Sequence, residues 1–324
     1  MAKPLDLEAL KAGSIRALAK AITLIESKRV QDRSEAIAFV ESALPYTGKS
    51  LRIGISGVPG VGKSTFIESF GLQLIEQGKR VAVLAVDPSS PVAGGSILGD
   101  KTRMPVLSRS EGAFIRPSPS SGVMGGIAQR TRETILLCEA AGYDVILVET
   151  VGVGQSEVEV HGMVDFFMLL IVPNSGDELQ GIKRGITELV DGVVINKADG
   201  DSVNLAMKTR QFYQSAFNIF RSKGAWQPQV MTCSALERTN LAEIWQMIAS
   251  FEEGAKAEGG FEERRRDQNI GWLKKLLTTE LEQRIMASDL VKKNYPTLES
   301  QVAAGELTPF SAANRILEMA FTPK

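Results

Sequence analysis

The 324-residue chain has little of several things that common kinds of protein depend on. It holds two cysteines, Cys138 and Cys233, far apart and each in an apolar segment, which excludes a disulfide framework and any C-x-x-C metal or redox site. Both read as buried structural thiols. Its one histidine, His161, lies in an apolar-flanked helical stretch without the companions a metal site needs, so a structural place in that helix is expected. Neither sign of charge is in excess: 37 Lys and Arg against 38 Asp and Glu leave a net charge of −1. That balance offers no electrostatic case for nucleic acid. The basic run Arg264-Arg265-Arg266 is flanked by Glu262, Glu263 and Asp267 and reads as a solvated helix start. No apolar run approaches a membrane span, and Asp6 and Glu8 fall early in a stretch that has no apolar core of signal-peptide length. A soluble, cytoplasmic protein with no membrane or nucleic-acid partner is therefore expected.

What is present centres on Gly57-Val58-Pro59-Gly60-Val61-Gly62-Lys63-Ser64-Thr65. An apolar, strand-like run from Leu51 to Ser56 precedes it, and a helix is expected to start at Phe66. In the spacing G-x-x-x-x-G-K-S, Gly57, Gly60 and Gly62 let the backbone curl so that successive N–H groups point at a phosphate chain, with the helix N-terminus adding partial positive charge. Lys63 would reach the outer phosphates, the Ser64 hydroxyl would ligate Mg²⁺, and Thr65 would begin the helix. A glycine turn with a chance lysine is the alternative, and the strand-to-helix context argues against it.

Further apolar runs at 80–86, 144–149, 166–172, 192–196 and 229–233 alternate with helical patterns. Continuous apolar strands joined by helices predict an α/β fold, a P-loop NTPase with a mostly parallel sheet covered on both faces and ligands at the strand C-terminal ends. Polar residues stand at those ends. Asp87 closes the second run and opens a Gly/Ser/Pro-rich segment through Asp100 to Met104, read either as a linker or as a mobile element holding a metal-bound water; Asp100 is alternatively a helix N-cap. Glu149 closes the next run, where an acidic residue orients Mg²⁺ or its water, and the N–H of Gly152 would approach a γ-phosphate. The loop through Gln155 and Glu157 then reads as a second switch, although Gln155 is not at the usual small-GTPase spacing for a water-positioning glutamine. Catalytic roles are expected of Lys63, Asp87, Asp100 and Glu149, and the metal set is Ser64, Asp87, Asp100 and Glu149.

Asn196-Lys197-Ala198-Asp199 points to the base. The Asp199 carboxylate accepts two hydrogen bonds, and guanine offers N1–H and an exocyclic amine on one edge whereas adenine offers no such pair. Asn196 would bridge N7 to the phosphate loop, the Lys197 stem would cover the ring, and backbone N–H groups of Ser234-Ala235-Leu236 would receive guanine O6. GTP, with GDP as product, is the expected ligand. The glycine-punctuated segment 173–185, carrying Lys183, reads either as a connector or as a third mobile element.

The expected organisation is an N-terminal helical segment over 1–48, a P-loop domain over 49–252, and a helical extension over 253–324. Residues 252–260 read as a polar linker. Beyond it Ile270, Leu273, Leu277, Leu281 and Ile285 recur at helical spacing in a segment expected to end near Pro296, followed by a shorter helix ending near Phe321. An amphipathic helix outside the main domain needs cover, and a homodimer built by 261–324 is the economical expectation.

The glycine loop, Asp87-Pro88-Ser89-Ser90, Gly99-Asp100-Lys101-Thr102-Arg103-Met104, Glu149 through Gln155, and Asn196-Lys197-Ala198-Asp199 together resemble the MeaB/ArgK family, whose mitochondrial counterpart is the MMAA protein. The resemblance runs from about residue 5 to the end. It implies a homodimeric GTPase chaperone that binds adenosylcobalamin-dependent methylmalonyl-CoA mutase, gates loading of the cobalamin cofactor and protects the enzyme from inactivation. Relatives that insert nickel or cobalt carry Cys/His motifs absent from this sequence, which argues against metal delivery. With no arginine finger at a usual position, slow intrinsic hydrolysis completed by a partner is expected. A metabolic or transport-linked P-loop kinase is the alternative, and a nucleotide-gated scaffold a third reading.

Overall fold

The computed structural model describes residues 5–27, 29–86, 103–117, 124–150, 155–173, 188–219 and 226–321. Among them, seven strands form one parallel sheet in the order β3-β2-β4-β1-β5-β6-β7. The strands are β1 (Leu51–Gly57), β2 (Val81–Val86), β3 (Ala113–Pro117), β4 (Val145–Thr150), β5 (Phe166–Ile171), β6 (Gly192–Ile195) and β7 (Gln229–Thr232). Every residue of β2, β4, β5 and β6 is buried, as expected where helices cover both faces. The P-loop NTPase architecture expected from the motifs is thus the observed one.

Six strands fall where the apolar runs place them, and β3 is additional. It is a five-residue edge strand interrupted by Arg116 and closed by Pro117, so it lacks the continuous apolar run of a central strand. Arg116 binds Glu26 through Nε and a short Nη2 contact, tying the edge to the N-terminal helices.

Those helices are α1 (Leu7–Lys11), α2 (Ile15–Ile25) and α3 (Val30–Ala43). The Asp6 and Ser14 side chains cap α1 and α2 by accepting from Ala9 N and Ala17 N, filling donor groups that a helix start leaves open. Leu18, Ile22, Ile25 and Val40 are buried. At the junction with β1, the buried carboxylate of Glu139 accepts from Gly48 N and from Arg52 Nε, each at 2.8 Å.

The remaining described helices are α4 (Lys63–Glu76), α5 (Met124–Ala140), α6 (Gln155–His161), α7 (Val203–Ile219), α8 (Leu241–Ala257), α9 (Gly260–Ala287), α10 (Asp289–Ala303) and α11 (Pro309–Phe321). Two differ from expectation. The stretch 252–260 is helical up to Ala257 and breaks only at Glu258 and Gly259, where Gly259 adopts φ +74°. Gly supplies the left-handed position of this turn, so two residues make the break where composition suggests a linker. The break after α9 falls at Ser288, and Pro296 lies inside α10, where it removes one N–H without ending the helix. The chain divides into two compact units, Met1–Arg264 and Arg265–Lys324. No described helix is long and apolar enough to cross a membrane.

Candidate functional site

The central strand β1 runs between β4 and β5, the two strands that follow one another in sequence on opposite sides of it. The chain therefore reverses direction around β1, and the crevice at the strand C-terminal ends lies there. The glycine loop fills that position. A Cβ on Gly57 would stand 2.5 Å from the carbonyl oxygen of Leu170 in β5, which is backbone and cannot yield. Gly60 and Gly62 take φ +83° and +93°, so the turn needs residues free of the Cβ penalty. Val61 is fully buried and pins the middle of the loop, while Gly62 caps α4. The first N–H groups of α4, at Lys63, Ser64 and Thr65, stand at the positive end of the helix dipole.

Lys63 Nζ donates to the carbonyl of Gly57 at 2.6 Å and lies near Val58 O at 3.4 Å. Burial lowers the pKa of its ammonium, while the negative charges of Glu149 and Glu157 oppose the shift and Arg103 adds to it. Glu149, 5% exposed at the end of β4, is paired in register with Ile55 of β1 and Ala85 of β2. A buried carboxylate thus stands beside the root of the phosphate loop. Asp87, Asp100, Gly152 and Lys183 lie outside the described residues, as does the side chain of Gln155. Among the described residues no cluster of three or more His, Cys, Asp or Glu could hold a metal by itself. The Ser64 hydroxyl and Glu149 carboxylate are hard oxygen donors, and Mg²⁺ is ordinarily held by one or two such groups together with phosphate oxygens and waters, so the residues fit that ion.

On the base side, Asn196 is buried and spans two loops. Its Nδ2 donates to Val61 O at 2.9 Å, and its Oδ1 accepts from Ala235 N at 3.1 Å and from the Cys233 thiol at 3.5 Å. Lys197 adopts φ +60°, uncommon for a residue with a side chain, and its Nζ reaches Gly60 O at 2.7 Å. The stem therefore crosses from the base loop to the phosphate loop. Asp199 Oδ2 accepts from Ser234 Oγ at 2.5 Å, orienting the carboxylate. Within Ser234-Ala235-Leu236, the Ser234 and Ala235 N–H groups donate to Thr239 Oγ1 and Asn196 Oδ1. Leu236 is 80% exposed.

Three residues whose connection the motifs do not reveal, Ser56, Thr150 and Glu157, form a buried chain behind the loop. Thr150 Oγ1 donates to Ser56 Oγ at 3.0 Å, and Ser56 Oγ donates to Glu157 Oε1 at 2.7 Å. Ser56 and Thr150 are wholly buried and Glu157 is 1% exposed. Glu157 belongs to α6, where a switch loop is expected from sequence. The available signal was a polar residue at the end of each of two apolar strands. His161 ends the same helix and packs edge-on against Phe167 with ring centroids 5.9 Å apart, the structural place expected of it.

Parallel sheet, glycine loop on the central strand, and a loop bridged to it by Asn196 define a P-loop nucleotide-binding protein. Residues 18–289 match the family described as "Methylmalonyl Co-A mutase-associated GTPase MeaB", and the chain belongs to that family. It is 48% identical over 314 residues to the GTPase ArgK of Escherichia coli strain K12, spanning 97% of this chain and 95% of that one. It is 45% identical over 320 residues to the mitochondrial methylmalonic aciduria type A homolog of Mus musculus, spanning 95% of this chain and 77% of that one. A crystal structure described as a LAO/AO transport system kinase superimposes with TM-score 0.78 at 41% identity, covering 98% of this chain and 96% of that one.

Proposed function

We propose that this protein binds GTP and hydrolyses it slowly to GDP and phosphate, and that its nucleotide state controls association with an adenosylcobalamin-dependent methylmalonyl-CoA mutase, gating cofactor loading and protecting that enzyme. The observation that carries the nucleotide part is the Asn196 bridge, because it makes the loop bearing Asp199 and the phosphate loop one connected surface. A carboxylate held by Ser234 Oγ can accept from the two donors on one edge of guanine. The partner part is supported by the family description and by the name of the mouse relative.

Within this reading Ser64, Asp87, Asp100 and Glu149 would hold Mg²⁺ directly or through water. When bound, the ion neutralises charge on the phosphate oxygens. Lys63 would leave the Gly57 carbonyl for the outer phosphates, and the N–H groups of the loop, with that of Gly152, would hold phosphate oxygens where charge develops. A partner would complete the site and raise the rate. The protein would act in the cytoplasm as a homodimer formed through 261–324.

Two measurements test this. In equilibrium titration GTP and GDP should bind and ATP should not; equal binding of ATP overturns the base assignment. In a native lysate, tagged protein loaded with a non-hydrolysable GTP analogue and with GDP should recover a cobalamin-dependent mutase in unequal amounts; equal recovery removes the switch, and none removes the partner. The kinase description of the 41% identical structure favours a second reading, transfer of phosphate to an acceptor. Inorganic phosphate accounting for all GTP consumed would rule it out.

A further inference from the structure

We propose that Glu157 is a positioning residue for the nucleotide reaction: through Ser56, which Thr150 holds from the other side, it locks helix α6 to the root of the phosphate loop. The inference rests on the GTPase reading above and adds to it a group that the nucleotide motifs do not contain.

Placement carries the argument. Ser56 immediately precedes Gly57, whose carbonyl holds Lys63 Nζ at 2.6 Å. Thr150 immediately follows Glu149, and Glu157 lies in the first turn of α6, the helix beyond. Hydroxyl protons run in one direction, from Thr150 to Ser56 at 3.0 Å and from Ser56 to Glu157 at 2.7 Å, where the carboxylate accepts. The helix also lies directly on β1: a Cβ added to Gly54 would stand 3.0 Å from a methyl of Val160. A displacement of α6 would therefore reach Ser56, and through it Gly57 and Lys63, by the Ser56–Glu157 hydrogen bond and a close apolar contact.

A carboxylate 1% exposed is costly to bury, and an aliphatic side chain could fill the same space at lower cost if packing were the only purpose.

The test uses the full-length protein with Glu157→Ala, Ser56→Ala and Glu157→Gln, measuring GDP affinity and single-turnover GTP hydrolysis. Glutamine keeps an oxygen that can accept from Ser56. GDP affinity should stay within about twofold in all three, whereas hydrolysis should fall about tenfold or more in Glu157→Ala and Ser56→Ala and recover largely in Glu157→Gln, as for a lost positioning contact. Should Glu157→Ala fail to fold, Ser56→Ala removes a single oxygen and carries the comparison. Unchanged hydrolysis in the alanine variants, or equal losses of GDP affinity and hydrolysis, overturns the inference. Wild-type protein that binds GDP but releases no phosphate from GTP overturns the GTPase reading itself; normal wild type beside unaffected variants overturns this inference alone.

Discussion

His161 shows how a residue of plain structural role acquires a pH signature. Burial and the neighbouring Arg264 lower its pKa below the ordinary 6.5, with Asp191 pulling the other way. Arg264 forks onto Asp191 at 3.0 and 2.9 Å and contacts His161 Nε2 at 3.2 Å, so a second cation there would meet a guanidinium already committed to its partner. The folded chain thus binds this proton less tightly than the unfolded chain. Stability from this group is complete above the unfolded value and is lost as pH falls from there through the lowered folded value. Denaturant midpoints should drop as pH falls below the ordinary histidine value, and His161→Gln should flatten that dependence. At Asp199, replacement by Asn leaves one acceptor and introduces a donor toward guanine. Charge-assisted bonds contribute about 1.5–3 kcal/mol each, so titration should show GTP and GDP affinity falling by about tenfold to a hundredfold. The N-K-x-D pattern that carries Asp199 was legible from spacing, whereas the chain from Thr150 to Glu157 was not, because its members are ordinary residues brought together only by strand register.

At the scale of elements, runs buried on both faces were the easiest to read. β2, β4, β5 and β6 announce themselves because a strand covered on both sides has no polar face to confuse the period. β3 escapes notice because an edge strand needs no such run, and the break between α8 and α9 is only a turn, with α8 packed on the core and Phe261 at the start of α9 buried beside it. Gly54 tests how tightly an element is seated. In Gly54→Ala the new methyl would meet a Phe167 ring carbon at 2.7 Å and methyls of Val160 and Val164 at 3.0 Å. Overpacking of this kind costs about 1–3 kcal/mol, and a lowered denaturant midpoint should report it.

For the whole molecule, the second compact unit raises the question of what covers its apolar residues. Leu273 and Leu277 on α9 are 65% and 58% exposed, and Phe310 on α11 is 77% exposed. An apolar stripe left open in this way favours self-association, in line with the proposed dimer. Light scattering at micromolar concentration should give a dimer mass for the wild type and a monomer mass for the double variant Leu273→Glu and Leu277→Glu, with GDP affinity unchanged. A monomeric wild type would end the dimer proposal.

By itself the sequence determined the glycine loop, the strands that carry it and the Asn196-Lys197-Ala198-Asp199 pattern, because each depends on residue type at fixed local spacing. Tertiary structure decided which groups meet. That Asn196 joins Val61 to Ala235, that Lys63 rests on Gly57 between the charges of Glu149 and Glu157, and that Ser56 links Thr150 to α6 follow from strand order and register. Those contacts span up to 135 residues of chain, a separation over which local spacing carries no information.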